Sequence, residues 1–345
     1  LFNSEKSTFD ATIDTTHEMW FTSLVRILPL LFLSALFPDY LVAQAQVPDA
    51  PVPDAPSIRA AAVKPEKLKA IFQPGKTYRF INKTNVRIQL SGRGIREMVL
   101  EHQARFDSSA RADGKSGAQI KARTERLAVE VRSGEKQLTF DSLKPEDRET
   151  PIGKHFLGSL NRWVDLTLNK DYRVTNAIEG GRAGIATPLP GLPQFGPREL
   201  QKIVAQIPQG LPEDEVAPGD EWIIKGSRDV GDLGTLGFEV TYIHAGAVEY
   251  EGFSCIQIDL SGRLTGDVAL PSAKAKPLAN DRMDFQGTSL SGRILFDPAE
   301  KTVRLSEQSI SMLMEVTTQT GQAPMQVPVE QQINLRLLHV IPSPQ

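Results

Sequence analysis

Downstream of Pro74-Gly75 the chain alternates apolar and polar positions almost without pause. Tyr78, Phe80, Asn82, Thr84, Val86, Ile88 and Leu90 take every second place, the period of a strand whose two faces meet different surroundings. Met98, Leu100, His102, Ala104 and Phe106 repeat the pattern before Asp113-Gly114. Leu127, Val129 and Val131 run into Ser133-Gly134, and Leu138 and Phe140 follow on the return, which predicts a hairpin. Val164, Leu166 and Leu168 end at the turn Asn169-Lys170-Asp171. After Gly219 the alternation resumes with Trp222 and Ile224, then Phe238, Val240 and Tyr242, then Ile256, Ile258 and Leu260. Ile294 and Phe296 meet Val303 and Leu305 across Asp297-Pro298-Ala299-Glu300. Ile310, Met312, Met314 and Val316 continue in a shifted phase, which predicts a bulge near Glu307. The last strand carries Val329, Gln331, Ile333, Leu335 and Leu337.

Two helices interrupt this series. Thr150-Pro151 supplies an N-cap and a proline at the first helical position for IGKHFLGSLNRW. Gly196-Pro197-Arg198 opens the second, where Leu200, Ile203, Val204 and Ile207 form one apolar stripe until Pro208 and Gly210 stop it. The fold class is therefore mainly β, with antiparallel sheets in two related halves and one or two covering helices; a half-barrel is one way to arrange them. Pro-Gly, two polar residues and an aromatic open both halves, as Gln73–Tyr78 and Ala217–Trp222. The halves span about 70–182 and 212–341. Between them, 183–211 is an apolar Pro/Gly loop followed by the helix.

The first seventy residues have a different character. From Met19 a positive charge at Arg26 precedes the apolar run Ile27–Phe37 and then Ala43-Gln44-Ala45. This is the order of a secretory signal peptide over 19–45, with cleavage expected before Gln46. Its apolar run is short for a membrane anchor, so no stable span is expected once it is removed. Residues 1–18 are acidic and read as an upstream extension outside the translated protein. VPDAPVPDAP begins a Pro/Ala-rich linker over 46–69, an extended spacer. Export points to a periplasmic or extracellular protein.

Charge and chemistry narrow the function further. Taking Lys6 and Arg26 from the 39 basic residues, and Glu5, Asp10, Asp14, Glu18 and Asp39 from the 42 acidic ones, leaves 37 of each. That balance offers no footprint for nucleic acid or an anionic membrane surface. Cys255 is the single cysteine; it makes no internal disulfide and lies opposite the Ile256/Ile258/Leu260 face. Gly92-x-Gly94-x-x-Glu97 runs into another strand instead of a helix, so it reads as a turn and not a dinucleotide loop. His102, His155, His244 and His339 lack metal-ligand spacing, and no Gly-x-Ser-x-Gly elbow is present. His102 shares a strand face with Met98 and Phe106 and reads as structural, while His244 could reach Asp259 if the register allowed. No cofactor, metal or catalytic residue is assigned.

The Pro-Gly-x-x-aromatic openings, the stretch Leu211-Pro212 to Trp222 and the late hairpins resemble a family of exported bacterial β-rich proteins of unknown function, over about residues 70–320. The resemblance implies an envelope location and a β-rich fold, and carries over no functional residue. Three function classes follow. The first is non-catalytic binding of an apolar small molecule or lipid between sheet and helix; the others are a structural or protein-interaction module of the envelope and a hydrolase with an unrecognised site. For the first, the ligand-binding residues are Leu189, Leu192 and Phe195 of the proline-stiffened loop, with the aromatic rings of Trp163 and Trp222.

Overall fold

The computed structural model describes residues 65–90, 94–156, 160, 162–181, 197–229, 235–265, 267–269, 282–317 and 325–343. The signal segment, the proline repeat and the loop carrying Leu189, Leu192 and Phe195 lie outside them. Among the described residues no helix is long and apolar enough to cross a membrane.

The alternating runs form long antiparallel strands: β1 (Glu66–Lys67), β2 (Lys76–Leu90), β3 (Gly94–Ser109), β4 (Ala118–Ser133), β5 (Lys136–Asp141), β6 (Arg162–Leu168) and β7 (Val174–Gly181). The later ones are β8 (Glu215–Val216), β9 (Glu221–Asp229), β10 (Thr235–Tyr250), β11 (Phe253–Thr265), β12 (Asp267–Ala269), β13 (Arg282–Asp297), β14 (Thr302–Thr317) and β15 (Met325–Pro342). Thirteen of them make one sheet, ordered β7-β6-β4-β3-β2-β15-β14-β13-β11-β10-β9, with β5 on β4 and β12 on β13. The two halves are thus not separate sheets. The last strand, β15, pairs with β2 from Val329↔Ile88 to Pro342↔Lys76 and sews them together. Each half crosses the sheet in the same sense, from its last strand to its first.

Six register shifts break the ladders among the described residues, at Gln286/Ser289 on β13, opposite Thr167/Leu168 on β7, and at four places near the middle of the sheet. The extra residues of those four are Glu125 on β4, Leu338 on β15, Arg304 on β14 and Ala245 on β10. Followed through the register, these four fall on or within two residues of one line, Arg126–Gln103–Ile81–Arg336–Leu305–Leu295–Gln257–Gly246. A bulge bends its strand and adds twist, so a line of them creases the whole sheet. The phase shift expected near Glu307 is the Arg304 bulge, three residues earlier. It turns Leu305 to the outer face while Val303 stays inside, because two residues there oppose one on β13.

The crease curls the sheet. On a flat sheet at ~4.8 Å per strand, β6 and β10 would stand about 38 Å apart. Yet Lys69 Nζ donates to Lys170 O after β6 (2.9 Å), and Glu66, three residues earlier, lies 3.9 Å from His244 on β10. Ile71 N also donates to Lys301 O at the β13–β14 turn (2.8 Å). Residues 66–72 therefore strap one end of a curved trough, with Leu68, Ala70 and Phe72 buried beneath. This corrects the expected linker, whose last residues belong to the packed fold. β1 in turn pairs with β8, at the start of the second half. The edges β7 and β9 do not pair, so the trough stays open.

The helix Pro197–Gln206 lies along the concave side. Leu200, Ile203, Val204 and Ile207 are buried as their spacing requires, against β4, β6 and β7. Just beyond it Gly210, at φ +78, presses on Tyr242 and Ile294 on the opposite flank. One short segment thus touches both walls. The earlier helix is shorter than its pattern suggested. It covers Pro151–Phe156, preceded by a turn at Pro145–Arg148, and Thr150 Oγ1 caps it by accepting from Gly153 N (3.1 Å). One apolar cluster runs through all of this. The outer face instead carries ion pairs such as Arg79–Glu125, Arg126–Asp141 and Arg293–Glu307.

Candidate functional site

The inner face is mostly apolar, and several of its polar residues gather at the seam between the halves. On β2, Asn82 and Thr84 interrupt the series Tyr78, Phe80, Val86, Ile88; on β15, Gln331 lies between Val329 and Ile333. Asn82 stands between Leu335 and His102, Thr84 between Ile333 and Leu100, and Gln331 between Val86 and Ile310. Thr84 and Gln331 are diagonal neighbours, ~7–8 Å apart by strand geometry. Four polar side chains therefore gather on three adjacent strands.

All four are buried: Gln331 is 0% exposed, Thr84 1%, His102 5% and Asn82 8%. His102 Nε2 meets Thr124 Oγ1 at 2.8 Å. Burial pushes its pKa down to about 4, so the imidazole is neutral at pH 7. The others have unmet atoms among the described residues. Asn82 Oδ1, Thr84 Oγ1 and both amide atoms of Gln331 have no hydrogen-bond partner among the described residues. An unmet buried polar group costs about 1–3 kcal/mol. A few hydrogen-bonding groups set in an apolar wall is the usual construction of a small-molecule site. Farther along the same face of β3, two residues before Met98, Arg96 carries a buried Nε that is also without a partner.

Trp222 and Trp163 are not brought together. Trp222 is buried on the edge strand β9, stacked on Tyr242 (5.7 Å between centroids, 9° between planes). Its Nε1 donates to Gly210 O at 3.1 Å, which leaves it a packing role. Trp163 lies on β6, out of phase with the buried Val164, Leu166 and Leu168, and thus on the outer face. Lys121 Nζ sits 4.8 Å from its ring centroid and Gly180 lies beneath it. As a residue for a ligand inside the trough, Trp163 is on the wrong side. His244 does not meet Asp259 either, because the register opposes it to Ile258 and sets Asp259 against Ile243. Its Nδ1 accepts from Gly246 N at 3.1 Å.

Cys255 is buried on the outer face with Leu295 and Leu305, and burial pushes its thiol pKa up. Beside it the buried pair Arg304–Asp297 (2.6 Å) ties the β13–β14 turn, where Asp297 Oδ1 accepts from Ala299 N and Glu300 N. Among the described residues no group of three or more His, Cys, Asp or Glu side chains could hold a metal ion.

The residues missed from sequence were Asn82, Thr84, Gln331 and Arg96. The signal for the first three was present: polar residues occupying core-phase positions of a strand. What alternation could not supply was that β2 and β15 are neighbours.

No family model matches the chain, and no curated protein matches it. Among solved structures, lipovitellin, described for its lipid–protein interactions, overlaps 79% of this chain at 10% identity and a TM-score of 0.40. The chain spans only 26% of that protein. DynF, from the dynemicin biosynthesis pathway of Micromonospora chersina, is 9% identical at a TM-score of 0.19, covering 83% of this chain and 92% of its own. An outer membrane channel from Pseudomonas putida F1 is 7% identical at 0.17, over 80% of this chain and 100% of its own. At these scores the overlaps carry no argument about fold or activity.

Proposed function

We propose that this chain is an exported, non-catalytic binding protein that holds an apolar molecule or lipid between the inner face of the sheet and the helix Pro197–Gln206. The observation that supports it most is the set of buried, unpartnered polar atoms on Asn82, Thr84 and Gln331 within an apolar wall. A ligand that is apolar along its length and carries a hydrogen-bonding group would satisfy both surfaces at once. The address rests on Arg26, Ile27–Phe37 and Ala43-Gln44-Ala45. The family resemblance of exported β-rich proteins is proposed on the same footing.

The test is native mass spectrometry of protein purified from the envelope fraction, with a fluorescent fatty-acid analogue added to a delipidated sample. A bound species of lipid mass, and displacement of the analogue by extracted lipid, are expected. A chain that carries no such species and takes up no analogue overturns the reading. The interaction-module reading would then lead, on the edge strand β7, where Ile178 is 59% exposed.

A further inference from the structure

Resting on the binding reading above, we infer that the ligand is an anionic amphiphile whose carboxylate or phosphate head is held by Arg96 and whose tail lies along the inner face of β2 and β3. Arg96 alternates with Met98 and Leu100 on β3 and so belongs to the inner face, while Glu97 turns outward to meet Asn85 Nδ2 (3.2 Å). Arginines of the outer face such as Arg79, Arg126 and Arg293 each meet a carboxylate. Arg96 meets none among the described residues, and its buried Nε has no partner.

Burial draws the pKa of Arg96 down from its ordinary value, yet a guanidinium remains charged in proteins. A half-buried guanidinium that no described carboxylate meets is unfavourable, and an anionic oxygen relieves it through paired hydrogen bonds. The surroundings also give the ligand a direction. From Arg96 the inner face continues through Met98 and Leu100 to Ala104, about 27 Å at ~3.4 Å per residue. Thr84 and Gln331 lie partway along. The far end is closed by the strap that buries Leu68, Ala70 and Phe72. The apolar end is chemically suited to an acyl tail and the Arg96 end to an anion.

The experiment is binding of palmitate, hexadecanol and acetate to the delipidated full chain by titration calorimetry, in the native protein, Arg96→Gln and Arg96→Lys. Palmitate should bind roughly 10-fold or more tightly than hexadecanol, as a charge-assisted hydrogen bond implies. Acetate should show no measurable binding. Arg96→Gln should bring palmitate to the level of hexadecanol and leave hexadecanol unchanged, and Arg96→Lys should recover part of the difference. Chemical denaturation of each variant checks that the fold is intact. Equal affinity for palmitate and hexadecanol, or an Arg96→Gln loss shared by both, overturns the head-group assignment while the binding reading stands. Acetate binding as tightly as palmitate also overturns it, since the tail then contributes nothing. If neither long-chain probe binds, both readings fall together.

Discussion

Replacing Gln331 by methionine should stabilise the ligand-free protein. Gln331 is fully buried on β15, and neither amide atom has a partner among the described residues. A buried polar group left unmet costs about 1–3 kcal/mol. Methionine has nearly the same length and volume, so the exchange opens no cavity, and volume-conserving swaps cost less than about 1.5 kcal/mol. The lower end of the gain and the upper end of the packing cost nearly cancel, so the central expectation is a net gain of about 1 kcal/mol. For a domain of this size that raises Tm by about 2–4 °C. The assay is thermal and urea unfolding of delipidated protein, with Ile333→Ala two residues away as control. That truncation, at an apolar buried neighbour, should lose about 2–5 kcal/mol. With the fatty-acid analogue bound, the advantage of Gln331→Met should shrink or reverse, because the native amide then has a partner. A delipidated variant less stable than the native protein by 1 kcal/mol or more would refute the reasoning, for it would mean the amide serves the fold.

Ile203→Ala should cost about 2–5 kcal/mol, since Ile203 is 2% exposed on the docked face of its helix. Lys202→Ala, which loses only a surface pair with Glu199, should cost under about 1 kcal/mol in the same unfolding assay. Gly210→Ala should lower Tm clearly, because a Cβ there meets Tyr242 Cε1 at 2.5 Å and Ile294 Cδ1 at 2.9 Å on a backbone with φ +78. His102 is held near a pKa of about 4 by burial, below the unfolded value of about 6.5. The unfolded chain therefore binds the extra proton between those values, and stability should fall as pH drops from about 6.5 to about 4 and level off below. His102→Gln should flatten that slope in urea titrations across the window. Cys255 should resist thiol reagents in the native state and react on unfolding, because it is buried and its pKa is raised.

Much of the fold is determined by the sequence alone, because side-chain period is a local property. Alternation through Met98–Phe106 and Val329–Leu337 specifies strands and names their buried faces, and the Leu200/Ile203/Val204/Ile207 spacing specifies a helix and its docked side. Alternation does not say which strand lies beside which. The pairing of β2 with β15 joins residues some 240–270 positions apart in the chain, and any strand of matching phase could have filled that place. The same limit hid the alignment of the four bulges, each of which looks like an isolated phase slip until the register sets them on one line. Trp163 is a different case: its outer-face position is fixed by its phase relative to Val164 and Leu166, which the sequence itself displays. The candidate site was half legible. Asn82, Thr84 and Gln331 stand at apolar-phase positions in plain view. Their convergence, and their lack of partners, exist only once the two halves share a seam, because hydrogen bonding depends on distances in space and not on spacing along the chain.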